Sequence, residues 1–199
     1  KCNYCNFTSY ANKENLIPSY IEAIGKEMAF YSEALGSALI KTIYLGGGTP
    51  SILEFEDIEK IIKDIQNYFV ISDDYEATIE ANPGTLNLIK LIQFKNLGLN
   101  RLSIGAQSFN DEHLKFLGRI HTASQIHYTI ATARKAGFDN INLDLIFSIP
   151  NQSLEDWRNT LKRAVSLEPE HISTYSLSIE PDTPLYMERD NLAFPSEDT

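Results

Sequence analysis

From Thr42 to Ser176, short apolar runs that end in glycine, proline or a polar residue alternate with stretches whose apolar residues recur at helical spacing. That alternation leaves few folds open. Thr42-Ile43-Tyr44-Leu45 runs into Gly46-Gly47-Gly48, and Ile58, Ile61, Ile62, Ile65 and Phe69 then mark an amphipathic helix. A strand from Ala77 to Ala81 precedes a helix through Leu88, Leu91 and Ile92 that closes at Gly98. A strand from Arg101 to Ile104 precedes helical turns after Asn110 and a helix from Ser124 to Ala136 closed by Gly137. A strand from Ile141 to Ile146 precedes a helix opened by the capping box Ser153-Leu154-Glu155-Asp156, and His171 to Ser176 is the last strand. Strand alternating with helix is the β/α repeat, which implies a parallel sheet covered by helices on its outer face.

A doubly wound sheet and a barrel both satisfy that repeat. The barrel is favoured because Gly46 to Pro50, Glu80-Ala81-Asn82-Pro83, Gly105-Ala106-Gln107-Ser108, Asp144 and Tyr175 all fall at the C-terminal ends of strands, the active face of such a barrel. A further helix is expected from Pro18, with Tyr20, Ile21, Ile24, Met28, Tyr31 and Leu35 on its apolar stripe and Gly36 as its cap. Residues 1–177 are expected to form the β/α core, and residues 178–199 a connector toward a C-terminal domain outside the chain. Trp157 and most Tyr and Phe residues are assigned to helix or strand core.

Composition narrows the function. A formal charge of −10 argues against a general nucleic-acid or anionic-membrane surface, which would rely on clustered Lys and Arg. No apolar run approaches a membrane span and no signal-peptide pattern opens the chain, so a cytoplasmic protein is expected. The only two cysteines, Cys2 and Cys5, stand three positions apart. Such a pair serves a thiol switch, half of a zinc site or part of an iron–sulfur ligand set, and the spacing leaves all three open.

Other residues point to a cofactor mouth. Gly47, Gly48 and Thr49 offer unobstructed backbone groups for a small polar ligand, without the lysine of a Walker loop or the spacing of a dinucleotide fingerprint. Glu80 suits an amine or a ribose hydroxyl, with partnership to Arg119 as its alternative role. Arg119, in Leu117-Gly118-Arg119-Ile120-His121, is a natural fork for a carboxylate. Gln107 and Asp144 suit hydroxyl recognition. His113, His121, His127 and His171 lack metal-ligand spacing; His121 is read as a structural hydrogen-bonder, and His113 and His127 as solvated or core-edge residues.

Taken in order, Cys-Asn-Tyr-Cys-Asn-Phe, Gly-Gly-Gly-Thr-Pro-Ser, Ile-Glu-Ala-Asn-Pro-Gly-Thr, Arg-Leu-Ser-Ile-Gly-Ala-Gln-Ser-Phe, Leu-Gly-Arg-Ile-His, Asn-Leu-Asp-Leu-Ile and Ser-Ile-Glu-Pro-Asp-Thr-Pro-Leu resemble radical S-adenosylmethionine (radical SAM) proteins. Within that family they look like the oxygen-independent coproporphyrinogen III oxidase-like group, and most of all its haem chaperone branch. The resemblance implies a partial (β/α)6-type barrel whose first strand precedes the cysteines and lies outside this chain. It implies a [4Fe-4S] cluster whose second and third cysteine ligands are Cys2 and Cys5, the first standing four residues before Cys2, so that this chain by itself is expected to be cluster-free. It implies S-adenosylmethionine held at its methionine end by Gly47, Gly48 and Thr49, at its carboxylate by Arg119, at its amino group or ribose by Glu80, Gln107 and Asp144, and flanked at its adenine by Tyr4 and Ile146. Phe7 stands where true oxidases carry a further cysteine, which favours the chaperone branch. The implied partners are haem or a porphyrin, an electron donor and a haem-accepting respiratory protein, with haem ligands expected in part beyond this chain. The alternatives are the oxidase itself and a non-enzymatic barrel whose Cys2 and Cys5 form a zinc half-site or thiol switch.

Overall fold

The computed structural model describes residues 1–10 and 12–195. Its centre is a parallel five-stranded sheet with strand order following chain order: β1 (Leu39–Leu45), β2 (Val70–Ala81), β3 (Arg101–Gln107), β4 (Asn140–Phe147) and β5 (His171–Ser176). Helices α1 (Ile17–Leu35), α2 (Phe55–Tyr68), α3 (Leu88–Asn96), α4 (Asp111–Phe116), α5 (Ala123–Lys135) and α6 (Leu154–Val165) fill the connections, and α7 (Pro184–Glu188) follows β5. β1 and β5 are not paired to one another, so the sheet is an open half-barrel.

The sheet's helix-covered face is built from the apolar half of each strand. Ile43, Ala77, Ile79, Leu102, Ile104, Ile141 and Leu143 are buried, and Ile58, Ile61, Ile62 and Ile65 of α2, Leu91 and Phe94 of α3 and Ile126 and Ile130 of α5 pack onto them. Because strand side chains alternate, the next residue along each strand faces the concave side. The register aligns Tyr44 with Thr78 and Arg101, and Glu80 with Ser103, Asn142 and His171, so these two rows of the concave side are polar. Capping is local: Ser153 Oγ accepts from the Asp156 N–H at 3.1 Å while Asp156 Oδ2 accepts from the Ser153 N–H at 2.9 Å, closing the expected box at the start of α6.

Two expectations are corrected, the start of β2 and the assignment of the aromatic residues to the core. β2 begins at Val70 rather than Ala77, its extension pairing with Leu39 and Ile40 ahead of an irregularity before Thr42. The helix α1 forms with Gly36 as its cap, as expected, and of its stripe only Ile21 is fully buried, while Tyr20, Tyr31 and Leu35 are exposed. Nor are the aromatic residues mostly core: Phe7, Tyr10, Tyr44, Tyr128 and Tyr175 are also exposed, whereas Trp157 packs at the core edge against Phe147. Within residues 178–195 lies α7, whose Leu185 N–H reaches Asn3 O of the N-terminal loop; the tail at 196–199 lies outside the described residues. Among the described residues no helix is long and apolar enough to cross a membrane.

Candidate cofactor site at the C-terminal face

The loop carrying Cys2 and Cys5 lies over the strand ends and is seated by Asn3. Its N–H donates to Leu117 O (3.0 Å), its side-chain Nδ2 to Phe116 O (2.9 Å), and its carbonyl accepts the N–H of Leu185 from α7 (3.0 Å). Gly118, at φ 73°, makes room for this seat, since a Cβ there would come within 3.0 Å of Asn3 N and 2.8 Å of its Oδ1. The two thiols are free and half-buried, brought together by a turn in which the Cys5 N–H donates to Cys2 O at 3.3 Å. Between them Tyr4 packs against the apolar cluster of Leu117, Ile146, Ile149, Leu177 and Leu185. Burial, countered by the Arg119 guanidinium, pushes the Tyr4 phenol up to about 12.

Arg119 links this loop to the sheet. Its Nη1 donates to Cys2 Sγ at 3.4 Å, and its Nη2 donates to Gly105 O at 2.8 Å and to Asn82 Oδ1. Gly105 permits that approach, because a Cβ on it would lie 3.2 Å from Arg119 Nη2 and 2.9 Å from Gln107 Nε2. Asn82 in turn donates from Nδ2 to Thr49 Oγ1 at 3.1 Å, tying the glycine loop to the same arginine. The proposed pairing of Glu80 with Arg119 is not formed. Glu80 instead accepts from the Gly47 N–H (3.0 Å) and from Tyr44 Oη (2.9 Å), because Asn82 occupies the guanidinium. Burial, then the bond to Glu80, pushes the Tyr44 phenol up to about 12.

Asp144 is partly buried and held from both sides, accepting from Ser103 Oγ at 2.9 Å and from Asn142 Nδ2 at 2.8 Å. A register shift after Gly105 and a φ of 64° at Gln107 turn the end of β3. His121 donates from Nε2 to Ala106 O at 3.2 Å, as its structural reading requires, and burial together with the nearby Arg119 charge pushes its pKa down to about 4. His113 is buried near Ser108, and His127 lies exposed against Phe109.

The structure therefore gathers Cys2, Tyr4, Cys5, Gly47, Thr49, Glu80 and Arg119 at one end of the sheet, with Asp144 inside β4 and Ile146 in the apolar cluster that Tyr4 packs against. Sequence reasoning missed Asn3 and Asn82, which join the parts, and Ser103, Asn142 and His171, which extend the polar face below Asp144. Period-two spacing from Asp144 back to Asn142 was the available signal. Among the described residues no three or more His, Cys, Asp or Glu side chains stand together as a metal site. The unpaired, turn-linked thiols with a cationic group beside one of them fit two ligand positions of an iron–sulfur cluster.

An open parallel half-barrel with a paired-cysteine loop at its C-terminal face, a glycine loop beside it and a polar concave surface defines a cofactor-binding β/α half-barrel. Comparison with known proteins agrees. A family model described as the Radical SAM superfamily matches residues 1–164, and the chain belongs to that superfamily. It is 41% identical over 191 residues to the "Heme chaperone HemW" of Buchnera aphidicola subsp. Acyrthosiphon pisum, covering 95% of this chain and 50% of that one. It is 38% identical over 200 residues to the Bacillus subtilis protein of the same name, covering 99% of this chain and 53% of that one. The solved structure of Escherichia coli coproporphyrinogen III oxidase (HemN), described as a radical SAM enzyme, superposes with a TM-score of 0.87 at 27% identity, over 99% of this chain and 46% of that one. The chain spans about half the length of the curated relatives it matches.

Proposed function

We propose that this chain is the radical SAM domain of a haem chaperone that binds a [4Fe-4S] cluster and S-adenosylmethionine, from a protein of the cytoplasm. The observation that carries the reading is the seat of the cysteine loop: Asn3, Gly118 and Arg119 hold Cys2 and Cys5 against the glycine loop and the ends of β2, β3 and β4. Cys2 and Cys5 would ligate two irons of the cluster. When bound, cluster and S-adenosylmethionine together supply one-electron cleavage of a sulfonium.

The chain's own part is to bind and orient. Gly47, Gly48 and Thr49 present backbone groups to the methionine end, Arg119 is the cation available to its carboxylate, and Glu80, Gln107 and Asp144 are the acceptors and donor available to its amino group and ribose. Tyr4 and Ile146 form an apolar wall for the adenine. Glu80 already fixes the Gly47 N–H, and Asn82 already fixes Thr49, so the loop is pre-shaped before a ligand arrives. Residues 1–177 act as the core of this site, with 178–195 bracing it through Leu185.

The superposition on HemN supports a second reading, oxidative decarboxylation of coproporphyrinogen III. One experiment separates them: the anaerobically reconstituted full-length protein is titrated with ferric haem and, in parallel, incubated with coproporphyrinogen III, S-adenosylmethionine and a reductant. Stoichiometric haem uptake without decarboxylation is expected; decarboxylation without haem uptake would replace the first reading with the second. An electron donor and a haem-accepting respiratory protein complete the proposed role.

A further inference from the structure

The concave face holds one imidazole, and its surroundings determine which nitrogen carries the proton. Asn142 is 2% exposed. Its Nδ2 donates to Asp144 Oδ1 and to Ser103 Oγ, each at 2.8 Å, and a carboxylate acceptor admits only the amide nitrogen on that side. Asn142 Oδ1 is thereby turned to the other side, where His171 Nδ1 lies 2.5 Å away and Ser173 Oγ donates at 3.1 Å. An amide oxygen cannot donate, so Nδ1 of His171 carries a hydrogen, and in its neutral form the ring keeps its lone pair on Nε2. His171 is exposed, and Nε2 makes no hydrogen bond among the described residues.

A ring whose Nδ1–H is pinned to an oxygen acceptor while Nε2 stands open is the arrangement in which histidine ligates metals. A bare ion would ask for several protein ligands together, and no such group exists among the described residues. Iron carried in a tetrapyrrole brings four nitrogens of its own and leaves only axial positions, so a single imidazole suffices. Tyr44 on β1 and Tyr175 on β5 both stand on the concave side, one on each edge strand and each 57% exposed, and offer aromatic surface to a flat macrocycle.

We infer that His171, oriented by Asn142, is an axial ligand for the iron of a haem-type cargo lying in the trough of the half-barrel; this rests on the haem-chaperone reading. The bond formed is dative, from Nε2 to iron. No electron moves and no proton leaves, because Nδ1 keeps its hydrogen against Asn142 Oδ1. The same amide bonds Asp144, so the cargo ligand and the residue offered to the cofactor's ribose share one support.

The test is titration of the full-length protein with ferric haem and, separately, with metal-free protoporphyrin, followed by the Soret band. In His171→Ala, haem affinity should fall on the order of a hundredfold, the upper end of what losing even an outer partner costs a metal site. Metal-free porphyrin should bind as to the wild type, and added imidazole should restore haem binding. His171→Met, which keeps an iron-ligating atom, should bind haem with a shifted band, and thermal unfolding of both variants establishes that they fold. If the wild type takes up no haem, the haem reading falls and the inference with it. If the wild type binds haem and His171→Ala binds it equally well, the inference alone is overturned. Equal loss of haem and metal-free porphyrin, without rescue by imidazole, would also overturn it in favour of a role that does not involve iron.

Discussion

On the helix-covered face of the sheet, Ile79, Leu102, Ile104, Ile141 and Leu143 are all at 0% exposure; on the concave face of the same strands stand Thr78, Glu80, Ser103, Asn142 and Asp144. In a closed eight-stranded barrel both faces would be packed, the inner one with layers of branched apolar side chains. Here the inner layer is polar and hydrogen-bonded sideways from strand to strand, and the sheet stops before it closes. The buried Thr78, Ser103 and Asn142 on this side are satisfied by side-chain hydrogen bonds rather than by apolar contact, while Glu80 and Asp144 stay partly open to a ligand. The outer face must therefore supply most of the burial that holds the fold, which frees the inner face to be arranged for chemistry.

That division can be broken most severely from the outside. Leu143→Ala removes a fully buried side chain from the outer face and should cost about 2–5 kcal/mol, measured by denaturant unfolding. Tyr44 on the opposite face should retain its raised pKa, and a cost below about 1 kcal/mol would mean that the outer face is not the main source of stability. Gly118→Ala acts at the seat of the cysteine loop, where positive φ and the closeness of Asn3 both oppose a Cβ. It should cost more than about 1 kcal/mol and speed alkylation of Cys2 and Cys5; unchanged thiol reactivity would show that the loop is held elsewhere.

A pH dependence sharpens the same contrast. The folded state keeps His121 neutral down to about 4, while an unfolded chain protonates it near 6.5. Between those values the unfolded state binds more protons, so this contribution is fully present above pH 6.5 and is lost as pH falls toward 4. His113, also lowered by burial, acts in the same direction. His121→Gln, which can still donate to Ala106 O, should flatten the slope in unfolding measurements across that window; an undiminished slope would assign it to other groups. The smallest effect is expected at the mouth. Glu80→Gln should bring the Tyr44 pKa down from about 12 part of the way toward 10.0, since burial persists, while changing stability by less than about 1 kcal/mol. A tyrosine absorbance titration reads this directly, and no shift would mean that Glu80 is not the carboxylate against Tyr44.

Local signals proved the most legible. β5 spans His171–Ser176 as expected behind Pro169, and α6 starts after Ser153 because its capping box is written within four consecutive residues. The strand-end positions of Glu80 and Gln107 followed from the β/α repeat, whereas Asp144, expected at a strand end, lies inside β4 with three strand residues after it. The start of β2 was hidden because Asp73 and Asp74 are poor strand formers, and its early pairing with Leu39 and Ile40 is tertiary. Pairing with Arg119, the alternative role of Glu80, rested on charge alone, whereas Asn82 and Gly105 O are the partners that geometry brings to the arginine. Asn3 and His171 were unreadable for the same reason: each acts through contacts distant in sequence, to Phe116, 113 residues away, and Leu185 in one case and to Asn142, 29 residues away, in the other.

The most direct measurement is the electron paramagnetic resonance spectrum of the reduced, iron–sulfide-reconstituted full-length protein, before and after addition of S-adenosylmethionine. The account predicts a [4Fe-4S] signal that changes on addition of S-adenosylmethionine and disappears in Cys5→Ser. A protein that takes up zinc instead of iron and sulfide, or a cluster signal indifferent to both S-adenosylmethionine and Cys5, would contradict it.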